Sequence, residues 1–73
     1  MKPYYKIGQV IHHKLFDYRG VILKADDYFK LTDIWYDNMA KSKPPKDKPW
    51  YSVLVHNQTH TTYVAERNLS PDD

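Results

Sequence analysis

Residues 12–23 read HHKLFDYRGVIL. Two histidines, a lysine and an aspartate between aromatics could open a metal or catalytic site, or the stretch could be a strand, a turn and a second strand that carry a binding surface. Residues 7–13 (IGQVIHH) place Gly8 ahead of the β-branched pair Val10 and Ile11, which predicts a strand. In a strand, successive side chains point to opposite faces, so His12 and His13 cannot together chelate one ion. Residues 14–18 are too mixed to continue the strand and predict a turn. Residues 19–25 (RGVILKA) predict the second strand, with Val21, Leu23 and Ala25 on one face and Ile22 and Lys24 on the other. The expected hairpin sends Val10, Val21 and Leu23 into the core and presents His13, Lys14 and Arg19 as one basic edge. Arg19 could instead pair with Asp17 or Glu66.

Beyond the hairpin the pattern changes. Leu31, Ile34, Trp35 and Met39 recur at helical spacing, with Thr32 or Asp33 placed to cap a short helix. Residues 41–49 (KSKPPKDKP) follow, and three prolines among four lysines predict an exposed loop without regular structure. Residues 50–56 (WYSVLVH) and 61–66 (TTYVAE) predict two further strands around a polar turn, with Leu69 closing the structure after a tight turn or a single 3₁₀ step. Trp50, Val53, Val55, Val64, Val21 and Leu23 are the expected core, while alternation leaves Tyr51 and Leu54 undecided.

With 73 residues the chain is one domain, and a domain of this size buries only about 60% of the surface its unfolded chain exposes. Seven Tyr, two Trp and two Phe supply the bulk for a compact core. Short strands, one insertion and a need to manage sheet edges predict a mainly β fold, a small SH3-like antiparallel barrel of about five strands with one short helix. An open sheet covered by the helix is the alternative arrangement.

Most reaction classes lack their residues. Without Cys there is no disulfide, zinc-thiolate site or thiol nucleophile, which fits a reducing cytoplasm. Ser42, Ser52 and Ser70 sit in no nucleophile motif, and two distant glycines make no phosphate-binding loop. No apolar run approaches a membrane span. The expectation is therefore a soluble, non-enzymatic chain with no cofactor, no metal and no small-molecule substrate.

What remains is a surface. Lys41, Lys43, Lys46 and Lys48 against Asp47 make the loop basic, while Asp26, Asp27, Asp33 and Asp37 against Lys30 make the preceding segment acidic. The net charge of +2 permits a nucleic-acid partner without announcing one. Tyrosines beside lysines can stack on bases or anchor a protein contact.

Three blocks in order, Y-R-G-V-I, P-W-Y-x-V-L and Y-V-A-E-x-N-L, resemble the YccV-like hemimethylated-DNA-binding domain family of heat-shock protein HspQ-like chains. The resemblance runs from about Ile7 to Leu69. It implies a small β-barrel with a helical or irregular insertion and binding to DNA methylated on one strand. In stress-response members it also implies modulation of degradation by the ATP-dependent protease Lon, so a protein-interaction adaptor is the alternative function. If DNA is the partner, His13, Lys14, Arg19 and the lysines at 41, 43, 46 and 48 are the expected binding residues, the basic ones positioning phosphates.

Overall fold

The computed structural model describes residues 2–72. Five strands form one antiparallel sheet: β1 (Val10–His13), β2 (Tyr18–Asp26), β3 (Trp50–Val55), β4 (Thr61–Ala65) and β5 (Leu69–Pro71), in the spatial order β4-β3-β2-β1-β5. A seven-residue helix, α1 (Asp33–Met39), lies in the β2–β3 insertion. A 3₁₀ turn, Glu66–Asn68, links β4 to β5. These two strands are the opposite edges of the sheet, and three residues at about 2 Å rise each join them, so the sheet must curl until its edges approach. No ladder pairs β4 with β5 among the described residues, so the expected barrel is a strongly curled open sheet.

The hairpin forms as expected, with Val10 opposite Val21 and His13 opposite Tyr18, but its faces are reversed. Ile11 and Ile22 are fully buried, while Val10 and Leu23 are 43% and 44% exposed and Val21 is half-buried. Both parities of these strands are apolar, so alternation could not choose between them. Gly20 decides the matter. A Cβ at Gly20 would press into Val53 Cγ1 and stand 2.8 Å from the Leu54 carbonyl oxygen, so the face carrying Gly20 is the one that can approach β3 closely. Ile22 shares that face. Leu23 falls where the β2–β3 register slips between Ile22 and Lys24, and the bulge turns it out of the core.

The inner face packs Tyr5, Ile11, Ile22, Tyr51, Val53, Val64 and Leu69 together. Trp50, Val53, Val55 and Val64 are buried as expected, Tyr51 joins them, and Leu54 stays 37% exposed. The Tyr51 hydroxyl accepts from the Tyr4 and Tyr5 amides and donates to Glu66 Oε2, which ties the N-terminal segment to the end of β4. Burial and the Glu66 carboxylate push that phenol up to about 12, so it remains a donor through the neutral range.

A second core covers the outer face at the start of β3. Phe29, Ala40, Trp50 and Ala65 pack with Trp35, Tyr36 and Tyr63. Thr32 caps α1 by accepting from the Trp35 amide. The expected helical stripe does not hold: Ile34 and Met39 are 75% and 60% exposed, and the helix is seated by the adjacent rings of Trp35 and Tyr36. Two turns are too short for a periodic stripe to govern docking, and two aromatic anchors outweigh it. Residues 41–49 lack regular structure, yet Pro44 and Pro49 are fully buried, so the segment is a packed strap and not simply an exposed loop. Tyr36 donates to the Pro44 carbonyl and Trp50 Nε1 to the Pro45 carbonyl.

Candidate functional site

The turn between β1 and β2 hangs on one imidazole. His13 Nδ1 accepts from the Leu15 and Phe16 amides at 3.2 and 3.1 Å, and Asp17 takes the left-handed backbone (φ 55°) that returns the chain into β2. Accepting twice at Nδ1 requires that atom to be unprotonated, so the neutral ring carries its proton on Nε2. The ring lies between Phe16 at 4.7 Å and Tyr18 at 4.9 Å and is 3% exposed. Burial, and then the neighbouring His12, hold it below the ordinary histidine range. His13 therefore presents no positive charge, and the expected basic edge of His13, Lys14 and Arg19 does not exist as one surface.

Arg19 lies on the outer face, where its Nε donates to Asp72 Oδ2 at 2.9 Å, in place of the expected pairing with Asp17 or Glu66. Asp17 is taken by His12 Nε2 at 2.6 Å. The two charged halves of the insertion fold onto each other. Lys46 meets Asp33 at 2.8 Å, Lys43 lies 3.7 Å from Asp37, and both ammonium groups sit over the Tyr36 ring. Pairing with Lys46 holds Asp33 below the usual carboxylate range and raises Lys46. These two lysines brace the strap against α1. Lys48 is exposed beside Tyr4, Tyr5 and Arg67.

A different set of cations converges elsewhere. The Lys14 amide donates to the Asn68 carbonyl at 2.8 Å, Asn68 Nδ2 donates to Ser42 Oγ at 3.3 Å, and Arg67 Nη2 donates to the Ser42 carbonyl at 2.6 Å. Three segments remote in sequence are thereby stitched together, which brings the chain at Lys14, Lys41 and Arg67 into one neighbourhood. All three are exposed, and none has a carboxylate within 4.0 Å among the described residues. Arg67 is absent from the sequence expectations. It stands alone in the chain after a glutamate, and only the fold sets it beside Ser42.

Of these cations Lys41 borders a groove over the free edge of β4, between the β1–β2 turn and α1, and Ser42 and Asn68, which bind the other two segments, border it as well. It has two joined lobes of about 300 and 450 Å³ that share His13, Phe16, Trp35, Met39, Tyr63 and Val64. Lys41 and Asn68 line one lobe, the hydrogen-bonded Tyr18 and Thr62 line the other, and among the described residues no carboxylate lines either. Tyr63 is fixed there by donating to Asp26 Oδ2 at 2.7 Å while accepting from the Lys30 amide. Burial, then the bond to Asp26, drive its phenol well above the ordinary tyrosine value. Aromatic walls with Lys41 among them, and no carboxylate among the described lining residues, suit an anionic ligand that carries flat apolar groups.

The sequence comparison reaches the same chemistry from another direction. A family model described as hemimethylated DNA-binding protein YccV like matches residues 3–73, nearly the whole chain, and the protein belongs to that family.

Proposed function

We propose that this chain is a non-enzymatic DNA-binding module that engages hemimethylated duplex through Lys14, Lys41 and Arg67, with Lys48 beyond them. The observation that carries this reading is an aromatic groove lined by Lys41 and, among the described residues, by no carboxylate, with Lys14 and Arg67 on the adjoining segments and unpaired with any described carboxylate. Phosphate contacts of this kind position a protein on DNA, and aromatic or apolar contacts in the groove supply the means to sense a methyl group. Neutralising three phosphates gives a log-log salt slope of roughly −2.7. The test is an amide NMR titration with one short duplex in unmethylated, hemimethylated and fully methylated forms. Preferential shifts at Lys14, Lys41, Arg67 and the groove rings with the hemimethylated form are expected. Shifts scattered over the surface, equal for the three duplexes, would remove the reading.

A second reading, an adaptor that presents substrates to an ATP-dependent protease such as Lon, draws support from the outer face. Val10, Val21 and Leu54 stand opposite one another across three strands and leave an apolar row beside Arg19. A contact built on that row would be nearly insensitive to salt, which separates it from phosphate binding.

A further inference from the structure

We propose that the groove over β4 receives an unstacked adenine base, so that the domain reads its mark on a base turned out of the duplex. This rests on the DNA-binding reading above and goes beyond it by assigning the ligand's position.

The starting observation is His13 Nε2. The ring is 3% exposed, its other nitrogen is occupied by two amides, and Nε2 has no protein partner among the described residues. No described side-chain nitrogen or oxygen is both sealed from solvent and unpartnered. Nε2 therefore keeps some solvent access, and the groove that His13 lines on both lobes lies against the ring. It is a fixed N–H donor on the groove floor, and a purine offers ring-nitrogen acceptors to such a donor. Nearby, the Tyr18 and Thr62 hydroxyls share one hydrogen bond of 2.7 Å and retain lone pairs, which suits the single N–H left on a methylated exocyclic amine.

The walls fit the faces of a base. Phe16 stacks one side on His13 at an interplanar angle of 20° yet is 66% exposed, so its other side is open to a second flat ring. Met39 is 60% exposed on the same groove and offers a polarisable surface for a methyl group. Packing on His13 uses only one face of Phe16, and base-on-aromatic stacking needs an open ring face of the kind left on the other side. An occupant with an anionic edge suits the groove, since Lys41 lines it, Lys14 and Arg67 lie on the segments joined beside it, and no carboxylate lines it among the described residues. A nucleotide combines all of these features, with a flat face, ring acceptors and a flanking phosphate on either side.

The test uses the whole chain and one duplex whose methylated adenine faces either thymine or an abasic site. Turning out a base costs least when it has no partner, so the abasic duplex should bind roughly tenfold or more tightly than the paired one. The paired F16A and M39A substitutions, both at exposed positions, should erase that advantage while leaving the salt slope of binding unchanged. Ring resonances of Phe16, Trp35 and Tyr63 should shift with the abasic duplex. Equal affinity for the two duplexes overturns the everted base and leaves DNA binding intact. Absence of binding to either duplex overturns DNA binding itself. Ring shifts produced by an extended apolar peptide but not by the abasic duplex, or by raising the protein concentration alone, would assign the groove to a protein segment or a second copy and overturn the proposal.

Discussion

On the inner face of the β1–β2 hairpin Ile11, His13 and Ile22 are 0%, 3% and 0% exposed; on the outer face Val10, His12, Arg19 and Val21 are exposed or half-buried. The two faces draw on nearly the same residue types. His13 is neutral and holds up a turn with one nitrogen, while its neighbour His12 pairs with Asp17 near solvent. Arg19, on the outer face, is occupied by Asp72, whereas Lys14, Lys41 and Arg67 have no carboxylate partner among the described residues. Residue type therefore says little here about role, and face says nearly everything. Gly20 sets the face, because only a position without a side chain tolerates the approach of Val53 and the Leu54 carbonyl.

The largest expected effect breaks this comparison at its centre. Ile22→Asp buries a carboxylate without a partner and should cost roughly 4 kcal/mol or more, enough to unfold a domain of this size. Val21→Asp, one residue away on the outer face, should cost about 1 kcal/mol and leave a cooperative thermal transition. The check is circular-dichroism melting of both variants. If Val21→Asp unfolds the domain and Ile22→Asp does not, the faces have been assigned the wrong way round.

Next in size is the effect on ligand binding. Replacing Lys14, Lys41 and Arg67 with glutamine should flatten the salt slope by about 2.7, so that between 50 and 200 mM salt the parent loses roughly fortyfold more affinity than the variant. The same change at Lys43 and Lys46, which are committed to Asp37, Asp33 and Tyr36, should leave the slope alone and loosen the strap. Fluorescence anisotropy of a labelled duplex at several salt concentrations measures both. A slope lost with Lys43 and Lys46 would transfer the interface to the strap.

A smaller effect concerns pH. Because the folded His13 lies below its ordinary value, the unfolded chain takes up a proton first as pH falls. Its contribution to stability is complete above the unfolded pKa of about 6.5 and is lost as pH drops from there toward the lower folded value, at no more than about 1.4 kcal/mol per pH unit. Nitrogen-15 correlation of the imidazoles should show the Nε2–H tautomer of His13 persisting below pH 6.5. An ordinary titration near that pH would mean that the ring is not held by the two turn amides.

These contrasts also mark how much was legible beforehand. The first four strands, a capped helix start at Thr32 or Asp33 and the burial of Trp50 follow from local pattern. The short β5 and the burial of Tyr51 do not, and the three sequence blocks carry the family. The facing of Val10, Val21 and Leu23 was not legible, because apolar residues occupy both parities and the deciding contact, between Gly20 and Val53, joins different strands. The packing of the strap was not legible for a related reason: Lys43 and Lys46 meet Asp37, Asp33 and Tyr36 only once the insertion folds back. Arg67 and Ser42 were invisible because 25 residues separate them and a backbone carbonyl is their meeting point.

The smallest expected effect tests the outer face directly. Arg19 is the only cation of the hairpin's second strand ahead of Gly20, and by sequence it looks like a phosphate ligand. In the fold it donates to Asp72 at 2.9 Å on the face away from the groove, with Val10 and Val21 as neighbours. An exposed pair of this kind contributes about 0–1 kcal/mol, so Arg19→Gln should barely move the melting temperature. It should also leave the salt slope of DNA binding unchanged, since a guanidinium neutralised by Asp72 releases no counterion from a phosphate. A slope reduced by about 1 would mean that Arg19 leaves Asp72 for the duplex, and that DNA wraps from the groove onto the outer face. The two faces of the hairpin would then form one interface, and the apolar row of Val10, Val21 and Leu54 would lie under the DNA, out of reach of a protein partner.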